Sequence, residues 1–261
     1  MGIDGLLLGA AVGLVGGFTS GLLGVSPGGG LVVFSVLLLG AEQHVAQGIS
    51  LAAQIPPTSL SGIRRYWLAG VRTPTRWIAP IAIGFLVGGV CGAGAASSIS
   101  AAALQWTYVA YLVGLDALLL RRAPRDEIDT GDGIVREPRR AALFAVGLFA
   151  GLSSGFLGIG GGLATTVGLS AVLHIPQRQA QMASLVLSLM PTTIPAAWVY
   201  WRAGAMGPWP AILGVILGLV AGTDLGARLA NRVDRRTLRP LLFAFVSAMA
   251  VYMALHAWST S

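Results

Sequence analysis

Gly155-Phe156-Leu157-Gly158-Ile159-Gly160-Gly161-Gly162-Leu163 interrupts a long apolar run near the middle of the chain. Gly21-Leu22-Leu23-Gly24-Val25-Ser26-Pro27-Gly28-Gly29-Gly30-Leu31 does the same near its start. Glycine inside a helix costs about 1 kcal/mol relative to alanine, so a triple glycine between apolar runs marks backbone that is bent or opened. In lipid, opened backbone is tolerated only where protein or a watery cavity satisfies its polar groups. The two breaks therefore read as the centre of a transport site.

Composition supports a membrane setting. The 261 residues are 55% hydrophobic and 10% charged, with a mean hydropathy of +0.76, whereas soluble domains carry about 25% charged residues. Apolar runs long enough to span a bilayer recur along the whole length, which leaves no room for a sizeable soluble domain. The net charge of +7 rests on 17 basic residues, all of them arginine. They cluster at Arg64, Arg65, Arg72 and Arg76, between Arg121 and Arg140, and between Arg228 and Arg239. Because these clusters lie between apolar runs, they read as cytoplasmic loops facing anionic lipid rather than as a nucleic-acid groove. One cysteine, Cys91, excludes an internal disulfide and a CxxC redox pair; its glycine-rich apolar surroundings predict a buried thiol. Asp4 stands where a signal peptide would carry basic residues, so the first apolar run reads as a membrane segment.

The apolar segments fall at 3–24, 28–39, 45–62, 78–96 and 104–120, then at 141–158, 161–173, 180–200, 209–227 and 238–258. The third contains Pro56-Pro57. The charged stretch 121–140 separates the two sets, giving a first transmembrane repeat (1–120), a cytoplasmic linker (121–140) and a second repeat (141–261). Ala11-Val12-Gly13-Leu14 recurs as Ala145-Val146-Gly147-Leu148, and Gln47 with Ser50 recurs as Gln181 with Ser184. Pro57-Thr58 matches Pro191-Thr192, and Tyr66-Trp67 matches Tyr200-Trp201. Gly84, Gly88 and Gly92 match Gly214, Gly218 and Gly222 after a small shift. Placing the arginine-rich loops in the cytoplasm requires an odd number of crossings per half, which makes the halves inverted and puts both termini outside. The predicted fold is an all-α polytopic membrane protein. It has two inverted repeats of about five helical segments each, with short or broken helices at the glycine-rich motifs.

Candidate binding residues follow from these breaks. Short helices beginning at Gly28, Gly29 and Gly30 and at Gly160, Gly161 and Gly162 would point N–H groups at the midplane, where they attract anions. Close helix packing through small residues is the structural alternative. Gln47 and Ser50 share one helix face, as do Gln181 and Ser184, and Pro57 and Pro191 each free a carbonyl one turn earlier. Thr58, Ser59, Thr192 and Thr193 add hydroxyls at that opening. These side chains read equally as an oxyanion site and as polar glue between helices. Asp224 lies one turn before Arg228 and reads first as an ion pair, with proton coupling by Asp224 or His174 as the alternative. Asp116, about one turn from Arg121, is expected to reach the interface. Tryptophans near segment ends form an interfacial belt. The residues show no Ser/His/Asp constellation, HExxH motif or carboxylate pair, so neither an enzyme nor a cofactor or metal is expected. A dinucleotide reading of the glycines fails for want of a preceding strand and a following acidic residue.

At Ser154–Gly162, at the related Ser20–Gly30 copy, and at the Gly-x3-Gly-x3-Gly runs from Gly84 and Gly214, the chain resembles the sulfite exporter TauE/SafE family, also called toluene-sulfonate uptake permeases. The resemblance covers essentially the whole chain, and the first copy departs from GxGGG at Ser26-Pro27. It implies a bacterial inner-membrane transporter of sulfite, thiosulfate, sulfoacetate or a related organosulfonate, with the glycine breaks at the site. Its expected partners are that small anion and membrane lipid, without nucleic acid, and a homodimer is left open. Alternating access between inverted halves is the expected mechanism. An anion channel and a non-transporting membrane scaffold or assembly factor are the alternatives.

Overall fold

Uncharged runs of leucine, valine, alanine and glycine form helices in an apolar medium because each backbone group must find its partner within its own segment. The computed structural model describes residues 2–23, 26–57, 60–68, 70–121, 137–230 and 235–260. Thr58, Ser59 and most of the charged linker lie outside the described residues. The described residues are all-helical: α1 Gly2–Leu23, α2 Gly28–Leu39, α3 Gln43–Ala53, α4 Leu60–Leu68, α5 Thr75–Ser97, α6 Ala101–Arg121, α7 Arg140–Leu157, α8 Gly162–Val167, α9 Gln177–Leu189, α10 Ile194–Arg202, α11 Trp209–Ala230 and α12 Arg235–Thr260. A π-helical turn, Gly168–Val172, prolongs α8. The expected third and eighth segments are each two helices, α3 with α4 and α9 with α10. Prolines 56, 57 and 191 lie in the gaps, where a missing N–H ends the helical ladder, and the chain bends by 50° between α9 and α10.

Among the described residues, four helices are long and apolar enough to cross a membrane, or five if the bent α9–α10 pair is one span. Large apolar side chains such as Leu7, Phe149, Leu217 and Leu255 are exposed around the molecule. An apolar surface of that kind has lipid as its natural solvent. Cys91 is exposed on this surface, not buried as its apolar neighbourhood suggested.

Helices pack most tightly across the two halves. Gly84, Gly88 and Gly92 of α5 sit against the backbone of α7, and a Cβ at Gly88 would lie 2.8 Å from the Leu152 nitrogen. Gly218, Gly222 and Gly226 of α11 sit likewise against α1, with a Cβ at Gly222 falling 2.8 Å from the Phe18 nitrogen. Small residues permit this backbone-to-backbone approach. Leu148, Leu152 and Phe156 correspond to Leu14, Phe18 and Leu22 at a constant spacing of 134 residues. The glycine rows therefore match as Gly84/Gly218, Gly88/Gly222 and Gly92/Gly226, and the shifted match to Gly214 is corrected. The same spacing makes Val90 the counterpart of Asp224.

Two apolar clusters repeat the exchange. One joins Val12, Ile49, Ala53, Ile212, Val215 and Leu219. Their counterparts Val146, Ala183, Leu187, Ile78, Ile81 and Phe85 belong to the other. Each cluster takes the first and third helices of one half and the fifth helix of the other. Each half of the chain therefore contributes to both clusters.

Candidate functional site

The two glycine breaks meet. Gly158, Gly160 and Gly161 hold φ values of 71°, 75° and 64°, left-handed backbone that a side chain disfavours by about 1–2 kcal/mol. This turn carries the chain from α7 into α8, and the Ser26 hydroxyl donates to its Ile159 carbonyl at 3.0 Å. Ser50 ties both breaks together: its one hydroxyl proton serves the Gly158 carbonyl at 2.7 Å and the Gly28 carbonyl at 3.2 Å. Ser184 donates to the Gly162 carbonyl at 3.0 Å.

These bonds settle how the breaks correspond. Gly28 opens α2 and Gly162 opens α8, and each carbonyl accepts from the serine 22 residues on. Ser26-Pro27-Gly28 therefore corresponds to Gly160-Gly161-Gly162. The expected equivalence of Gly28–Gly30 with Gly160–Gly162 is two residues out, and Ser26-Pro27 is a replacement, not an insertion.

The breaks are filled by side chains. Gly160 faces the Gln54 amide, Gly161 faces the Phe85 ring, and a Cβ at Gly158 would lie 2.9 Å from the Gln47 Cα. The Gln54 amide donates to the Ser50 carbonyl and hydroxyl at 3.0 and 3.1 Å. The Tyr108 hydroxyl donates to the Gly29 carbonyl at 2.7 Å, and Gly30 is buried beside α1. Thr165 and Thr166 donate back to the Gly161 and Gly162 carbonyls. The serine hydroxyls expected to greet a ligand thus donate to backbone carbonyls.

Gln47 is different. It is fully buried, its Oε1 accepts from the Tyr200 hydroxyl at 2.7 Å, and its Nε2 has no partner. The same hydroxyl lies 2.9 Å from the Gly155 carbonyl. An amide held by its oxygen while its nitrogen stays free presents fixed donors. In the other half, the Tyr66 hydroxyl donates to Gln181 Oε1 at 2.6 Å. Tyr66 and Tyr200 are counterparts, as are Gln47 and Gln181, so each half lends a tyrosine to the other half's glutamine. Thr192 and Thr193 are buried at the bend before α10, and the Thr193 hydroxyl has no partner.

A cavity of about 260 Å³ opens beside this centre, lined by Glu42, His44, Val45, Ser97, Tyr200 and Gly204 among others. Tyr200 lines the cavity and also bonds Gln47 through its hydroxyl. His44 Nε2 lies 3.1 Å from the Ala96 carbonyl. Asp224 lies apart, exposed and paired with Arg228 at 2.6 Å. His174, counterpart of Gly40, ends the helical run of α8 with φ 54°. Asp116 turns inward, contrary to expectation: its Oδ2 accepts from Ser247 of α12 at 2.8 Å, and its Oδ1 is buried without a partner. Among the described residues no group of three His, Cys, Asp or Glu side chains could hold a metal.

Sequence reading missed Tyr200, Tyr66 and Gln54 as site residues. The tyrosines were visible as a repeated pair, and their recurrence at the spacing of the glutamines was the available signal.

The described residues form an all-helical, multi-pass membrane protein that buries polar side chains between its helices. The chain belongs to the family described as Sulfite exporter TauE/SafE, which matches residues 9–253. That is a family of transporters for sulfur-containing anions. No curated protein and no solved structure matches the chain.

Proposed function

We propose that the protein moves a small sulfur-containing anion, such as sulfite, thiosulfate, sulfoacetate or a related organosulfonate, across the bacterial inner membrane. The observation that carries this reading is the buried, unpartnered Nε2 of Gln47, whose oxygen is held by Tyr200, a residue that lines the cavity. A neutral amide donor recognises an oxyanion without the tight hold of a buried cation, so the anion can leave again. The glycine breaks supply backbone dipoles around the same point.

Transport proceeds by alternating access. Residues 1–120 and 141–261 act as inverted halves joined by a cytoplasmic linker, and both termini lie outside. The Tyr200–Gln47 and Tyr66–Gln181 bonds are the contacts that each half breaks in turn. In this reading the cavity at Glu42 and His44 faces outward, and Gln181, Ser184 and Thr192 take over when the other side opens.

The test is a thermal-shift screen of the purified protein against sulfite, thiosulfate, sulfate, sulfoacetate, taurine and simple carboxylates, followed by liposome uptake of the hit. A ligand that binds only the folded state raises its stability. Stabilisation by a sulfur anion together with counterflow is the expected result. A carboxylate hit alone would overturn the substrate class, single-channel currents would replace the transporter by a channel, and no uptake of any sulfur anion would leave a scaffold.

A further inference from the structure

Gln43 begins α3, one turn before Gln47. It is fully buried, and neither its Nε2 nor its Oε1 has a partner. An orphaned buried amide is destabilising, and such a group in a folded protein calls for a cause. Its sequence neighbours Glu42 and His44 both line the cavity. The spacing Gln43, Gln47, Ser50 and Gln54 puts four polar side chains on one stripe of α3. Tyr200, which lines the cavity, bonds the second of them. The stripe runs along α3 from Gln43, whose neighbours line the cavity, to Ser50 at the glycine breaks. Position 177, the counterpart of 43, is also glutamine and also opens its helix, α9.

We propose that Gln43 is a second anion-coordinating station, at the cavity end of α3, and that it selects a singly protonated oxyanion. The proposal rests on the transporter reading above. Its chemistry follows from what each amide has free. Gln47 offers only N–H donors, because Tyr200 occupies its oxygen. Gln43 offers donors and an acceptor together. A fully ionised oxyanion has only acceptors and leaves the Gln43 oxygen unsatisfied. A hydrogen-anion such as hydrogensulfite supplies an O–H for that oxygen and oxygens for the N–H groups. A site with a matching partner for each buried polar group discriminates strongly against a ligand that lacks one. The titratable groups near Gln43 are Glu42 and His44 at its own helix end, Tyr200 of α10 and Tyr108 of α6; α2 carries none, and Arg202 of α10 and Arg228 of α11 are exposed.

The experiment compares wild type with Gln43→Met, and with Gln43→Leu in case the first packs poorly. Binding of sulfite and of methanesulfonate is measured by calorimetry on either side of the sulfite–hydrogensulfite ionisation. Methanesulfonate stays singly charged and carries no O–H, so any effect of pH on the protein itself appears with both ligands. Wild type is expected to bind sulfite about tenfold more tightly on the acid side, relative to methanesulfonate, and either variant to lose that preference. The variants are also expected to melt at a higher temperature than wild type without ligand, because an apolar side chain removes two orphaned groups. A variant that keeps the preference, or that melts lower than wild type, overturns the station at Gln43 while leaving the transporter reading intact. A wild type that binds sulfite at neither pH overturns both.

Discussion

Replacing Tyr200 by phenylalanine removes one oxygen from the centre of the molecule and nothing from its packing. Two acceptors lose their donor: Gln47 Oε1 at 2.7 Å and the Gly155 carbonyl at 2.9 Å. Gln47 is fully buried and its Nε2 is already unpaired, so the change strands the whole amide. Gly155 lies in the last turn of α7, where carbonyls lack partners within the helix. An orphaned buried acceptor costs about 1–3 kcal/mol, and a central value of about 2 kcal/mol applies, since one proton serves both. Tyr66→Phe is the internal control. Tyr66 and its acceptor Gln181 are only half-buried, and water can replace the lost donor, so about 1 kcal/mol or less is expected.

The assay is equilibrium unfolding of the detergent-solubilised protein for wild type, Tyr200→Phe, Gln47→Leu and the double variant. Once Gln47 is gone, the tyrosine hydroxyl has lost one of its acceptors, so the two changes are expected to couple by about 1–2 kcal/mol. The same bond fixes Tyr200, which lines the cavity. Its loss is expected to free that side chain by up to about 30-fold, read as faster exchange of a sulfur anion if one binds there. Equal stabilities for Tyr200→Phe and Tyr66→Phe, or additivity within about 0.5 kcal/mol in the cycle, would refute the reasoning.

Gly161→Ala forces a side chain into φ 64° and onto the Phe85 ring, which should destabilise by about 2–5 kcal/mol; Phe85→Leu in the same chain should restore part of that, read as recovered monodisperse protein. The larger Gly161→Leu change therefore tests folding before it tests binding. Gly218→Val drives a branched side chain into the Ala10 backbone of α1 and should abolish stable expression. Gly94→Ala meets nothing within 4 Å and should raise stability by about 0.4–1 kcal/mol, both checked by thermal melting.

Much of the fold was legible because lipid imposes simple rules. Apolar runs had to be helices, and prolines 57 and 191 had to break them. The meeting of the glycine breaks was also legible, since only buried or water-lined backbone tolerates such sequence. Side-chain roles were harder. Ser50 and Ser184 looked like ligand donors, yet both donate to carbonyls of the very turns that the glycines create. No residue count reveals which acceptor a hydroxyl will choose. Asp116 misled for a related reason: closeness in sequence to Arg121 suggested the interface, while Ser247, 131 residues away, supplies a partner. Gln43 escaped notice because a buried orphan is a property of surroundings, not of spacing.

On the proposed alternating-access reading, identical halves would make the two facings equal in energy, so each departure from identity biases one facing over the other. The glycine rows match at Gly84/Gly218, Gly88/Gly222 and Gly92/Gly226, but Gly9 and Gly214, which also pack α1 on α11, have Leu143 and Pro80 as counterparts. The breaks do not match. Pro27 precedes α2 with φ −67°, whereas its counterpart Gly161 precedes α8 with φ 64°. Proline cannot reach that second conformation, so the two breaks cannot exchange shapes. Gln54 braces Ser50 through a long amide, where its counterpart Ser188 has only a hydroxyl bonded to the Ser184 carbonyl. Tyr200 is buried while Tyr66 is half-exposed. The last two differences give α3 the more deeply buried polar contacts. On the proposed alternating-access reading, a preference for one facing follows from the residues at the breaks and their braces.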